Sequence, residues 1–349
     1  MAALTVDIGF RRPGFALNVA GAIPDTGITA ILGPSGSGKT TLLRLLAGLD
    51  TAERGQVYHG EQCWFDAAQR CHRPTRQRRL GFVFQDYALF PHLSVAGNIA
   101  YGLPRSRQRP ARVTAWLERL GLQAVARQHP AALSGGQRQR VALARALAPQ
   151  PEVVLLDEPF AAVDAPLRRE LRLVFQEVVA AARIPAILVT HDLEDVRQTA
   201  DQVGVLIDGQ WRRFGPTDSV FAEPGDGACA RVLGWPNLLP VSHWEGDLAC
   251  GPWGRLRCSQ AAPDPTGTTI AIAPHHLQPV TESNGLPVDI VRTIRMPRHY
   301  RVLSRLADHH ALEFELPLTE PRPQPGEHTR VLIPPEAIEV LPNTIKPSS

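Results

Sequence analysis

The run Gly33-Pro34-Ser35-Gly36-Ser37-Gly38-Lys39-Thr40, followed by Thr41, has the spacing G-x-x-x-x-G-K-[ST] of a loop that wraps phosphate. Its glycines free the backbone to turn N–H groups inward on phosphate oxygens, and a helix opening behind them adds partial positive charge. In that chemistry Lys39 reaches the β- and γ-phosphates of a nucleotide and the Thr40 hydroxyl ligates Mg²⁺. Composition strengthens the point, because only two of the 37 basic residues, Lys39 and Lys346, are lysines. Where arginine is the rule, an interior lysine suggests a task for a compact ammonium. A glycine-rich turn is the plain alternative for this segment taken alone.

Two further segments bear on the same chemistry. Val153-Val154-Leu155-Leu156-Asp157-Glu158 is an apolar run ending in two carboxylates. A buried parallel strand delivers its C-terminal residues to the ligand crevice of an open α/β sheet. Asp157 would hold Mg²⁺ in its outer coordination sphere, and Glu158 would polarise an attacking water as general base. Solvated acids capping a strand end are the alternative. Leu133-Ser134-Gly135-Gly136-Gln137 precedes a helical pattern, so it offers a second anion-binding helix start, or a serine cap and nothing more.

These residues need a frame. Strand-like runs at 28–32, 81–84, 153–156, 186–190 and 202–207 alternate with helical patterns at 40–47, 112–120, 137–148, 167–182 and 193–200, which predicts an α/β domain with a largely parallel sheet. Seventeen of the 32 prolines lie between Pro236 and Pro347, where helical periods vanish. Short alternating segments at 269–273, 288–294, 311–316 and 329–333 predict a small β-barrel or sandwich there. The expected domains are 1–235 and 236–349, the chain being broken near Glu223-Pro224-Gly225-Asp226-Gly227, with a frayed tail from Pro342.

The length of 349 residues exceeds what one core usually supports, in keeping with two domains. Hydrophobic residues at 44% and charged residues at 20% exclude disordered and fibrous classes. A net charge of +3 without like-charge blocks gives no general affinity for nucleic acid. Five cysteines with no C-x-x-C pair suit a reducing compartment and show no metal-ligand spacing. His275-His276 and His309-His310 read as surface histidines. The N-terminus lacks the pattern of a secretory signal, no apolar run reaches membrane-spanning length, and a cytosolic location is expected.

Taken together, residues 1–235 resemble the nucleotide-binding subunit of ATP-binding cassette (ABC) transporters. The resemblance rests on the loop Gly33–Thr40, Gln85 in Phe82-Val83-Phe84-Gln85-Asp86, the signature Leu133 to Gln137, the strand ending Asp157-Glu158, Asp164, and His191 in Thr190-His191-Asp192, in the family's order and spacing. It implies a P-loop cassette with a helical subdomain at about 86–150 and a small all-β, OB-like accessory domain of the TOBE type. It implies ATP and Mg²⁺ as cofactors, and a homodimer sandwiching two ATP molecules head to tail. There Ser134, Gly135, Gly136 and Gln137 would bind the γ-phosphate held by the opposite subunit's loop. Gln85 would sense Mg²⁺ and the attacking water, its loop facing the membrane subunits, and His191 would hold the γ-phosphate. Asp164 belongs to the segment Ala161-Ala162-Val163-Asp164, which departs from the family's usual Ser-Ala-Leu-Asp and lacks its hydroxyl. Phe10 has the spacing of the adenine-stacking aromatic, with Phe15 as competitor.

The resemblance also implies two integral membrane permease subunits and an extracytoplasmic substrate-binding protein, and places the chain at the cytoplasmic face of the membrane. Gly27 to Gly33, Trp64-Phe65-Asp66 and Leu89 to Val95 are similar to molybdate-import ATPases, while sulfate and ferric-iron importers share much of 85–98. Molybdate or a related oxyanion is therefore the first-ranked cargo. In the accessory domain Glu282-Ser283-Asn284-Gly285-Leu286 keeps only part of the molybdate-binding turn and lacks its arginine. A soluble ABC protein acting on nucleic acid is the reading from another class, and it lacks the expected second cassette, coiled coil or basic patch.

Overall fold

The computed structural model describes residues 2–342 except 162, 260–266, 281–284 and 307–308. Ala162, most of the Glu282 turn, the tail beyond Pro342 and Lys346 therefore lie outside the described residues. Contacts divide the chain into Met1–Ala222 and Glu223–Ser349.

The first unit runs β1 (Ala2–Arg12), β2 (Phe15–Pro24), β3 (Gly27–Leu32), α1 (Lys39–Ala47), β4 (Arg54–His59), β5 (Gln62–Asp66), β6 (Cys71–His72) and β7 (Leu80–Val83). It continues with α2 (Val95–Ala100), α3 (Arg109–Arg119), α4 (Gly135–Leu147), β8 (Val153–Asp157), α5 (Ala165–Ala182), β9 (Pro185–Val189), α6 (Leu193–Thr199), β10 (Gln202–Ile207), β11 (Gln210–Pro216) and α7 (Thr217–Ala222). One sheet has the order β11-β10-β3-β9-β8-β7, parallel except for the edge strand β11. The other, β2-β1-β4-β5-β6, is wholly antiparallel.

Every residue of β8 is buried, and strand alternation divides them between two cores. Val153 and Leu155 join Leu42, Leu43 and Leu46 of α1 and the inner face of the antiparallel sheet. Val154 and Leu156 join Val141, Leu143 and Leu147 of α4 and Phe175 of α5. Helix α1 is therefore enclosed between the sheets, and its loop sits where β3 ends.

The C-terminal end of α1 is held by an arginine. Gly48 closes the helix at φ 71°, and any side chain there would collide with the Arg78 guanidinium, 2.5 Å from a Cβ. Arg78, 1% exposed, donates to the carbonyls of Leu45, Leu46, Trp64 and Arg73 and lies over the Trp64 ring. Burial lowers its pKa to about 10, still high enough to keep the guanidinium charged among carbonyl dipoles, and among the described residues no carboxylate pairs with it.

The second unit opens with α8 (Gly227–Val232), whose Ala230 packs on Ala271 and Leu341; the boundary expected from sequence at 235 falls after this helix. Its strands are β12 (Asn237–Pro240), β13 (His243–Glu245), β14 (Leu248–Gly251), β15 (Gly254–Arg257), β16 (Thr268–Ile272), β17 (Gln278–Val280), β18 (Leu286–Arg295), β19 (His299–Arg305), β20 (Ala311–Pro317), β21 (His328–Leu332) and β22 (Ile338–Pro342). They form three antiparallel sheets, β12-β16-β22, β13-β14-β15 and β17-β21-β18-β19-β20, with Leu239, Trp253, Ile270, Ile290, Val302 and Phe314 in a common core. Among the described residues no helix is long and apolar enough to cross a membrane.

Candidate functional site

The loop between β3 and α1 carries the glycine-rich run. Gly38 caps α1 at φ 103°, and a Cβ there would meet the Phe15 ring at 2.6 Å and Leu17 at 2.8 Å. The β1–β2 hairpin thus lies directly against the loop, which is why glycine is needed at 38. Phe15, under the Arg12 guanidinium at 4.9 Å, touches the loop. Phe10 lies further down the hairpin, paired with Leu17, so the structure brings the competitor and not Phe10 against Gly38.

Lys39 donates to the carbonyls of Gly33 and Pro34, both at 2.8 Å, which holds its ammonium inside the loop. Burial lowers its pKa, while Glu158 and Asp157 oppose that shift. The loop and the carboxylate pair thus occupy one site, at the C-terminal ends of β3 and β8, the two parallel strands that flank β9. Asp157 is 3% exposed; burial raises its pKa, against a hydrogen bond from the Thr40 side chain. Its Oδ1 is buried without a hydrogen-bond partner, an uncompensated acceptor of the sort that a bound cation or its water satisfies. Thr40 and Asp157 therefore fit a hard divalent ion.

Glu158 follows with φ 51°, left-handed for a residue with a side chain, and its backbone N–H donates to Val189 of β9 at 2.9 Å. That conformation costs on the order of 1–3 kcal/mol. It turns the carboxylate towards His191 at the end of β9, and Oε1 of Glu158 lies 2.8 Å from His191 Nδ1. Glu158 is mostly covered, 14% exposed at the side chain, whereas the imidazole is 74% exposed.

The remaining residues are placed around this centre. Gln85 is exposed just beyond β7. Its loop continues through Tyr87 at φ 66° and Ala88 at φ 41°, two strained residues in succession. Arg145 of α4 donates to both of their carbonyls, at 2.8 and 2.6 Å. Buried Asn98 fixes the following turn through Phe90, Leu93 and Ser94. At the other end of α4 Ser134 and Gln137 form a reciprocal capping box, with Ser134 itself exposed. Gly136 packs against Val163 and Leu167, where a Cβ would come within 3.1 Å, and Asp164 caps α5 through the Leu167 N–H.

Arg168, which sequence reasoning missed, joins this surface to the centre. It pairs with Asp192 at 2.5 Å and donates to the Val163 carbonyl at 3.4 Å, so the segment before α5 is tied to the residue after His191. One turn on, Arg172 meets Asp195 at 2.9 Å, both nearly buried. Burial, and then the nearby Asp192 carboxylate, push the Asp195 pKa up to about 6, against the pull of Arg172. A raised carboxyl pKa means the folded state binds the extra proton, so this contribution to stability is fully present below about pH 4 and lost as pH rises through about 6. Relative to Asp195→Asn, the wild-type chain is expected to gain about 2–3 kcal/mol on going from pH 7 to pH 4, measured by denaturant midpoints; a flat difference across that window excludes the assignment.

Comparison with known proteins follows the same outline. Residues 17–161 match the family model described as ABC transporter. A sulfate/thiosulfate import ATP-binding protein of Mesorhizobium japonicum is 38% identical over 85% of this chain and 87% of its own length. Its counterpart in Methylococcus capsulatus is 47% identical over 61% of this chain, the match spanning 62% of that relative. A molybdenum import ATP-binding protein of Albidiferax ferrireducens is 44% identical over 70% of this chain and 67% of that protein. Among solved structures, a dimeric bacterial ABC transporter cassette aligns with TM-score 0.54 and 29% identity over 61% of this chain and 98% of its own. The same cassette in a post-hydrolysis state with ADP and Pi aligns with TM-score 0.53 and 30% identity over 62% of this chain and 99% of its own.

Proposed function

The chain belongs to the ABC transporter family, as an ATP-hydrolysing subunit, and from that premise we propose that it energises import of an inorganic oxyanion, sulfate (or thiosulfate) or molybdate. The observation that carries the catalytic half is the Glu158–His191 contact at the end of two adjacent parallel strands, next to the Lys39 loop. ATP would lie with its phosphates on the backbone of Gly33 to Thr41, Lys39 exchanging its loop carbonyls for phosphate oxygens. Phe15 or Phe10 would stack on the base, and the contact with Gly38 favours Phe15. Mg²⁺, which neutralises phosphate charge when bound, would be held by Thr40 and Gln85 with Asp157 behind. Glu158 would accept a proton from the attacking water, and His191 would steady both that carboxylate and the γ-phosphate.

Two copies would close head to tail, each supplying Ser134, Gly135, Gly136, Gln137 and Asp164 to the nucleotide of the other. The Gln85 loop borders an apolar groove of about 620 Å³, lined by Leu93, Ala96, Tyr101, Val113 and Leu117, with the volume and character to receive a helix of a membrane subunit. We infer two such permease subunits, an extracytoplasmic binding protein, and a peripheral position on the cytoplasmic face of the membrane.

For the cargo, sulfate stands level with molybdate, which sequence vocabulary alone had ranked first. Relatives named for sulfate/thiosulfate include the match that extends over most of the second unit, and one named for molybdenum aligns over 70% of the chain. The test is to assemble the complex with its permease and compare ATP hydrolysis stimulated by sulfate-loaded and molybdate-loaded binding proteins. Stimulation several-fold by one of the two is expected; stimulation by a ferric-iron protein alone overturns the oxyanion reading.

A further inference from the structure

We propose that the β13–β14 hairpin of the C-terminal unit is a binding site for a zinc-class divalent ion, with His243, Glu245 and Cys250 as ligands. His243 and Cys250 are directly opposed in the antiparallel register, and Glu245, two residues along β13, points to the same face. One nitrogen, one carboxylate oxygen and one sulfur therefore converge, all within 4.8 Å of one another. Sequence spacing hides this set, because its members are joined by strand pairing across a turn and not by a short repeat.

The donor set identifies the class of ion. Thiolate with imidazole suits zinc and similar borderline-soft metals, whereas magnesium and calcium take oxygen ligands. Metal–ligand distances of about 2.0–2.3 Å at a tetrahedral angle require donors roughly 3.3–3.6 Å apart. His243 Nε2 and Glu245 Oε1 are already 3.4 Å apart. The rest of the closure asks for movement of two exposed side chains, 62% and 44% accessible, over Cys250, a residue 4% exposed whose backbone is held in the strand. Cys250 has only a weak contact to the Leu248 carbonyl, at 3.9 Å, so little is lost when its proton departs to water and sulfur takes the metal. Three protein ligands leave a fourth position for water.

One group competes. Arg255, opposite Cys250 on β15, reaches Glu245 Oε2 at 3.4 Å, and its charge opposes a cation at the site. This competition gives the proposal a second signature besides ligand loss.

The test uses the purified full-length chain, stripped with a chelator, and Co²⁺ and Zn²⁺ as probes. Cobalt is expected to give a thiolate charge-transfer band with tetrahedral visible bands at one equivalent, and zinc to displace it. His243→Ala, at an exposed position that leaves the fold intact, and Cys250→Ser are each expected to weaken zinc at least about tenfold in competition with a chromophoric chelator, and Arg255→Ala to tighten it. Binding should weaken as pH falls, because the thiol must lose a proton. Absence of the charge-transfer band, or its persistence with zinc affinity within about twofold of wild type in both ligand variants, overturns the proposal. The thiolate band separates this site from the nucleotide site, whose proposed ligands are all oxygens.

Discussion

ATP hydrolysis by the assembled transporter is expected to fall about 10²–10⁴-fold when Glu158 is replaced by glutamine, with ATP affinity unchanged. The amide keeps the shape of the side chain and can still meet His191 across the 2.8 Å contact, but it cannot take a proton from water. At about 1.4 kcal/mol per decade, the loss corresponds to roughly 3–5 kcal/mol of transition-state stabilisation. Because the effect belongs to the chemical step, it should appear in single-turnover phosphate release and not in nucleotide binding. The strained backbone at Glu158 makes the same point structurally, since a φ of 51° is a cost that aims this one side chain. Hydrolysis at the wild-type rate would remove Glu158 from the role of base.

A second large effect is expected far from the phosphates. Arg78→Met should destabilise the first unit by about 4 kcal/mol, read from the denaturant midpoint of the nucleotide-free protein. Methionine fills the space but donates nothing, so the carbonyls of Leu46 and Arg73 lose their donor at roughly 1–3 kcal/mol each, while those of Leu45 and Trp64 keep only the backbone N–H groups of Gly48 and Arg73. Arg78→Lys should recover only part of this, because a single ammonium cannot reach carbonyls arranged around a planar fork. A loss below about 1 kcal/mol in the methionine variant would mean that water satisfies these groups and that the guanidinium contributes little.

The difference between Arg78 and Lys39 shows what the sequence could reveal. Lys39 sits in a local pattern where spacing, strand and helix start all lie within a dozen residues. Arg78 is one arginine among many in an arginine-rich stretch, and its partners come from positions 45, 46, 64 and 73, joined only by the packing of α1 on β5. The parallel strands and main helices were legible because their apolar periods are long. The antiparallel sheet β2-β1-β4-β5-β6 was not, because its strands are amphipathic and broken by turns that read as loop, although it covers one whole face of α1. In the candidate site, Asp157 and Glu158 were legible as the acidic end of an apolar strand, and His191 through the family resemblance. Arg168, Arg172 and Arg145 were not, since an arginine that bonds a distant carbonyl or pairs with a carboxylate on another helix carries no local signature.

Arg145 and Ser134 stand near opposite ends of α4, eleven residues or about 16.5 Å apart along a helix at 1.5 Å per residue. One end presents the exposed capping box, and the other grips the carbonyls of Tyr87 and Ala88. Helix α4 joins these two ends through one continuous hydrogen-bonded backbone, so a tilt at one end would be carried to the other. A tilt of about 10° pivoted at the cap would displace the gripped carbonyls by roughly 2.9 Å, far more than a hydrogen bond can stretch. The strained pair at 87 and 88 must then travel with the helix, and the two ends of α4 share one stroke.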